Sequence, residues 1–157
     1  MAKLSPSSLL QPVQTWLGLG PVKQTPTILQ MEAVECGAAA LAMVLAHYGA
    51  WIPLEQLRVA AGVSRDGSKA SNIVKAARGF GLAAKGFRKE PTNLHELPMP
   101  CIIHWNFNHF VVLEGIDGDR VYINDPAMGR RQLDMAELDL AFTGVALAIE
   151  PTEAFRK

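Results

Sequence analysis

The hydrophobic pattern of this chain changes period halfway along. Before residue 79 the apolar residues fall into helix-like runs; from residue 82 they fall into short β-rich runs separated by turn formers. Residues 36–48, CGAAALAMVLAHY, are rich in good helix formers, and Gly49 follows at the C-cap position. Ala38, Ala39, Ala40 and Ala42 leave room for neighbouring elements to approach closely. Residues 54–61 fit a second short helix closed by Gly62. Residues 71–78 fit a third, with Ile73, Val74, Ala76 and Ala77 on its apolar side. The second half reads as a strand over 82–87, a Pro-bounded connection over 90–100, and β-rich runs at 101–105 and 109–116 around a reversal at Asn106-Phe107-Asn108. Asp117-Gly118 then turns the chain into a strand over 120–124. A short strand over 130–133, a helix over 135–142 after Asp134, and a last strand over 145–150 complete the reading. Helices first and strands second predict an α+β fold, the N-terminal helices packed on a mostly antiparallel sheet.

Composition bounds what such a chain does. With 157 residues, 49% of them hydrophobic and 19% charged, it suffices for one domain with a sizeable core. Fifteen Lys and Arg offset fifteen Asp and Glu with no run of either sign, so there is no electrostatic footprint for nucleic acid or an anionic membrane. No stretch approaches the roughly 18 uninterrupted apolar residues of a membrane span, and a soluble chain is expected. Residues 1–25 hold Pro6, Pro12, Gly18, Gly20, Pro21 and three serines, which predicts an arm or linker. Residues 26–150 are then the domain and 151–157 a tail. The N-terminus has neither a continuous apolar run nor a clear cleavage site, so translocation is not expected. Two cysteines, Cys36 and Cys101, are too few for a disulfide scaffold and point to reduced thiols in a cytosolic setting.

Cys36 opens the first helix, where backbone N–H groups and the positive end of the helix dipole favour a thiolate, the nucleophilic form. A small residue buried at a helix start is the structural alternative. Gly37 beside it permits close approach by substrate or by neighbouring backbone. His109 heads an apolar strand, HFVVLEGI, that does not need an imidazole for packing. Asp125 ends the following strand and precedes Pro126, and the hairpin at Asp117-Gly118 can return it to His109. A carboxylate there would hold the imidazole in one tautomer and stabilise its cation. Equally, Asn124-Asp125-Pro126 is a good generic turn. Gln30, six residues before Cys36, can donate from its amide to a developing oxyanion, with the Cys36 N–H as second donor; alone it reads as a solvated loop residue. Cys101 reads as a buried small hydrophobe. Cys36, Cys101, His104 and His109 lack the close spacing of a metal site.

Gln30, Glu35-Cys36-Gly37, the strand beginning His109-Phe110-Val111-Val112-Leu113, and Asp125-Pro126, in this order, resemble the bacteriocin-processing (double-glycine leader) cysteine peptidase domain of peptidase-containing ABC transporters, which is papain-like. The resemblance covers about residues 25–150. It implies a cysteine endopeptidase that removes the N-terminal leader of a bacteriocin or lanthipeptide-type precursor after Gly-Gly or Gly-Ala, coupled to export. Cys36 would be the nucleophile, His109 the general base and then acid, Asp125 the orienting carboxylate and Gln30 the oxyanion donor. Partners implied are the leader, bound as an amphipathic helix, and the transmembrane and ATP-binding regions of the parent transporter, on the cytoplasmic side of the bacterial inner membrane. No cofactor is implied for the peptidase; ATP and Mg belong to transporter regions that do not follow Lys157, so an excised domain is expected. Glu35 stands where many relatives have Asp, and the run Gln30–Gly37 is similar to the branch handling lanthipeptides and precursors with nitrile-hydratase-like leaders. Two rivals stay open: a leader-binding module without catalysis, and another thiol-dependent amidase or acyltransferase.

Overall fold

Helix α1 (Cys36–His47) is apolar on every side, and each residue from Cys36 through Ala46 is buried. Such a helix needs cover all round. It receives it from α2 (Leu54–Ala60), α3 (Ala70–Gly79) and one face of a sheet. Small side chains let these neighbours come close. A Cβ on Gly37 would meet Ile73 Cδ1 of α3 at 2.8 Å, so this glycine serves helix packing, where the sequence left substrate approach equally open. The computed structural model of the chain describes residues 22–64, 67–106 and 109–155. The arm expected over residues 1–25 lies, up to residue 21, outside the described residues, as do Phe107 and Asn108 of the expected reversal.

The β-rich half forms strands β1 (Leu82–Arg88), β2 (Cys101–Trp105), β3 (His109–Asp117), β4 (Arg120–Asp125), β5 (Gly129–Asp134) and β6 (Phe142–Pro151). They make one six-stranded sheet in the order β1-β6-β2-β3-β4-β5, each neighbouring pair antiparallel. Helices before an antiparallel sheet are the predicted α+β architecture. Successive residues of a strand point to opposite faces. Ile102, Phe110 and Val112 accordingly join the core under α1, while Cys101, Ile103, Trp105, Val111 and Leu113 join a second core on the other face, closed by Leu94, Leu97 and Leu138. Leu138 belongs to α4 (Met135–Ala141). Coverage of both faces explains why β2 and β3 read as continuous apolar runs where a half-solvated antiparallel strand would alternate.

Beyond one-residue shifts at several element ends, three boundaries differ from expectation. Phe142, assigned by sequence to the helix after Asp134, is extended and opens β6, because pairing with Trp105 and burial in the second core outweigh one more residue of a short helix. Lys23 and Thr25 are already engaged with the body: Lys23 N donates to Glu114 O, and Thr25 is buried. In the expected tail, Thr152 Oγ1 donates to Gly81 O at 2.6 Å and Phe155 packs against the first core. Among the described residues, no helix is long and apolar enough to cross a membrane.

Candidate active site

The first residue of α1, the first of β3 and the last of β4 converge on one cleft. Cys36 sits at the helix start and is 3% exposed. The β3–β4 hairpin turns through Gly118, which has a positive φ, and pairs Asp117 with Arg120 and Val112 with Asn124. This register brings the end of β4 back beside the start of β3. His109 Nε2 and Asp125 Oδ1 lie 2.6 Å apart. The imidazole also hydrogen-bonds the Cys36 side chain. With Nε2 taken by Asp125, Nδ1 is the ring atom left to exchange a proton with the sulfur.

The electrostatics favour a charged pair. Burial alone would lower the His109 pKa, but the hydrogen bonds to Asp125 and Cys36 and the charge on both outweigh it and raise it to about 9. Burial would raise that of Asp125, yet the bond from His109, a 2.8 Å bond from Ala127 N, and the charges of His109 and Arg131 hold it below its ordinary value. Arg131 Nη1 stands 3.8 Å from Asp125 Oδ2. The turn reading of Asp125-Pro126 is therefore also correct: one carboxylate organises the turn and holds the ring.

Gln30 reaches the same cleft from the irregular segment ahead of α1. Its backbone N donates to Pro126 O at 2.8 Å, tying it to the Asp125 turn. Its side-chain Oε1 is buried and has no hydrogen bond among the described residues. The cleft is open, about 710 Å³, and is lined by Gln30, Cys36, His109 and Asp125 together with Val34, Trp105, Met128 and Arg131. All four residues singled out by sequence thus share one cavity. Other singled-out residues lie elsewhere. Cys101 is fully buried with its thiol pushed up to about 12 by burial. His104 pairs with Thr143 Oγ1 at 2.8 Å. Among the described residues, no cluster of three His, Cys, Asp or Glu side chains is placed to hold a metal.

Sequence reasoning missed two ion pairs around the site. Glu114 is fully buried on β3, where it accepts from Thr25 N and Oγ1 and pairs with Arg130. The signal was available: a carboxylate inside an apolar strand run requires a partner. Glu35 is likewise buried and pairs with Arg58, a contact for which the sequence holds no signal.

A cysteine at a helix start, with an imidazole and a carboxylate presented by an antiparallel sheet, is the arrangement of a papain-like cysteine peptidase. Residues 24–154 match the Peptidase C39 family, and the chain belongs to that family. It is 40% identical over 133 residues to the probable microcin-H47 secretion/processing ATP-binding protein MchF of Escherichia coli, a match covering 85% of this chain and 19% of that protein. Identity to the colicin V secretion/processing ATP-binding protein CvaB of Escherichia coli is 39% over 134 residues, with the same coverage of 85% and 19%. The chain thus spans about a fifth of the length of these curated relatives. Among solved structures, a double glycine motif protease from an AMS/PCAT transporter, in complex with the leader peptide, superposes with a TM-score of 0.81 at 61% identity, covering 83% of this chain and 94% of the other. The peptidase domain of Streptococcus ComA, a bi-functional ABC transporter involved in a quorum sensing pathway, gives 0.76 at 25% identity, covering 80% and 98%.

Proposed function

We propose that this peptidase removes the leader from a precursor peptide after a Gly-Gly or Gly-Ala pair, as one part of a larger ABC exporter, and works on the cytoplasmic side of the membrane. The observation that carries the reading is the hydrogen-bonded line Asp125–His109–Cys36 opening into a cleft that Gln30 also lines. Similarity at 61% identity to a double glycine motif protease with bound leader supports the substrate class.

The chemistry runs in two halves. His109 Nδ1 takes the proton of Cys36, and the thiolate attacks the carbonyl carbon of the second small residue. The carbonyl π electrons move to oxygen, and the oxyanion accepts hydrogen bonds from the Gln30 amide and the Cys36 N–H. The imidazolium gives its proton to the leaving amine; the C–N bond breaks and the core peptide departs. The leader remains as a thioester. Water then attacks that carbonyl while His109 accepts its proton. Breakage of the C–S bond releases the leader as its acid, which loses its proton to solvent, and the imidazolium returns the proton it took from water to the sulfur. None of these steps needs a cofactor. A cleft too narrow for bulky side chains would account for the small pair at the cut, by steric rejection of everything larger. The leader would lie upstream as an amphipathic helix.

Mass spectrometry of a precursor peptide carrying a Gly-Gly site, incubated with the wild type and with Cys36→Ala, tests the proposal. Cleavage after the pair by the wild type alone is expected. Leader binding without cleavage by the wild type would favour a recruitment module. Turnover of small amides in preference to the peptide would favour another thiol enzyme.

A further inference from the structure

Cys36 and Gln30 are held in place by different means. The thiol rides on a helix buried on all sides, so the core seats it. Gln30 sits on a segment outside any helix or strand, and its side-chain oxygen makes no hydrogen bond among the described residues. Its position must come from the backbone anchors on either side. One is Pro126 O, which accepts from Gln30 N. The other is the carboxylate of Glu35: Oε2 accepts from Met31 N at 2.7 Å and Glu32 N at 3.1 Å, folding residues 30–35 back upon themselves. Oε1 of the same carboxylate meets Arg58 Nε of α2 at 3.1 Å. The side chain of Glu35 is 3% exposed and that of Arg58 41%. Arg58 Nη2 also stands 3.7 Å from Glu32 Oε2.

A buried carboxylate with three donors has a defined orientation, and loss of one donor lets it rotate or draw in water. The two N–H groups it grips belong to the residues directly after Gln30, so movement of the carboxylate moves the amide. A misplacement of about 1 Å is enough to cost on the order of a hundredfold in rate.

We propose that Arg58 is a positioning residue for the reaction: through Glu35 it fixes the loop that carries Gln30, and so sets the amide where the oxyanion forms. This rests on the reading of Gln30 as oxyanion donor given above. The cation is outside the cleft and touches no reacting atom.

The test uses the full chain with a precursor peptide carrying a Gly-Gly site, and kcat normalised to the fraction of Cys36 titrated by iodoacetamide. Arg58→Ala should lower kcat about ten- to a hundredfold while KM and the alkylation rate of Cys36 stay within about threefold. In a Gln30→Ala background the same substitution should have almost no further effect, since the donor it positions is gone. An unchanged kcat, a loss of the same size in both backgrounds, or alkylation falling in step with kcat would each overturn the proposal. Should Arg58→Ala fail to fold, Arg58→Gln, which keeps the stem and loses the charge, carries the same comparison. Cys36→Ala separates the two levels. If it still cleaves, the catalytic assignment itself fails. If it is inactive while Arg58→Ala is not impaired, only the clamp fails.

Discussion

At the scale of single residues, the cleft works by stacking opposed effects on one imidazole. Burial pulls the His109 pKa down; Asp125 and Cys36 together push it up to about 9. The ring therefore keeps, through neutral pH, the proton it takes over during the reaction and hands to the leaving amine, and loses it to solvent as pH rises through about 9, which predicts an alkaline limb of kcat/KM there. Asp125→Asn removes the charge and weakens the bond that raise this value. The limb should move toward the ordinary histidine value of about 6.5 and kcat should fall on the order of a hundredfold, read from pH–rate profiles of the two proteins. If Gln30 donates to the oxyanion as proposed, Gln30→Ala should slow turnover about a hundredfold or more with leader affinity retained, measured by steady-state cleavage beside fluorescence anisotropy of a labelled leader. Cys36, His109 and Asp125 were visible in the sequence because each broke a local pattern, a polar residue at a helix start, at a strand head, or before a proline; Gln30 broke none and was legible only through its spacing to Cys36 and the family resemblance. The pair Glu35–Arg58 broke none, and its existence depends on how α2 docks.

At the scale of elements, helix α1 decides the geometry. Its alanines let α2, α3 and the sheet close around it, and its first turn is thereby fixed relative to β3. Gly37→Ala would drive a methyl group into Ile73 Cδ1 at 2.8 Å and Ser68 Cβ at 3.3 Å. Ile73 is itself fully buried and has little room to turn aside. The substitution should lower stability by about 1–3 kcal/mol in urea unfolding, and Ile73→Val in the same background should recover part of it. Period and capping made most elements legible in advance. Asp134 accepts from Glu137 N at 2.8 Å while Glu137 reaches back to Asp134 N, a capping box readable from residue types alone. The end of that helix was not legible, because Phe142 is taken into β6 by its contacts with β2, which no local pattern carries.

At the scale of the whole molecule, the C-terminal residues close the fold against the turn between α3 and β1. Gly81 has φ of 90°, and a Cβ there would meet Ala154 O at 2.7 Å and Phe155 Cα at 2.8 Å. Gly81→Ala should therefore cost roughly 2–4 kcal/mol by combining backbone strain with a clash against main chain that cannot rotate away. Thermal unfolding of this variant beside a truncation after Pro151 separates the two contributions, since the truncation removes the clash and leaves the strain. The sequence by itself determined the order of helices and strands, the period of each, and the residue types able to do thiol chemistry, because all of these are local properties of neighbouring side chains. Only the tertiary structure decided which residues meet. The strand order β1-β6-β2-β3-β4-β5, the 2.6 Å approach of Asp125 to His109, and the anchoring of Gln30 between Pro126 and Glu35 all join groups distant in the chain or on different elements. Their geometry follows from how two cores pack on the two faces of one sheet, and packing is a property of the assembled volume that no single stretch of sequence contains.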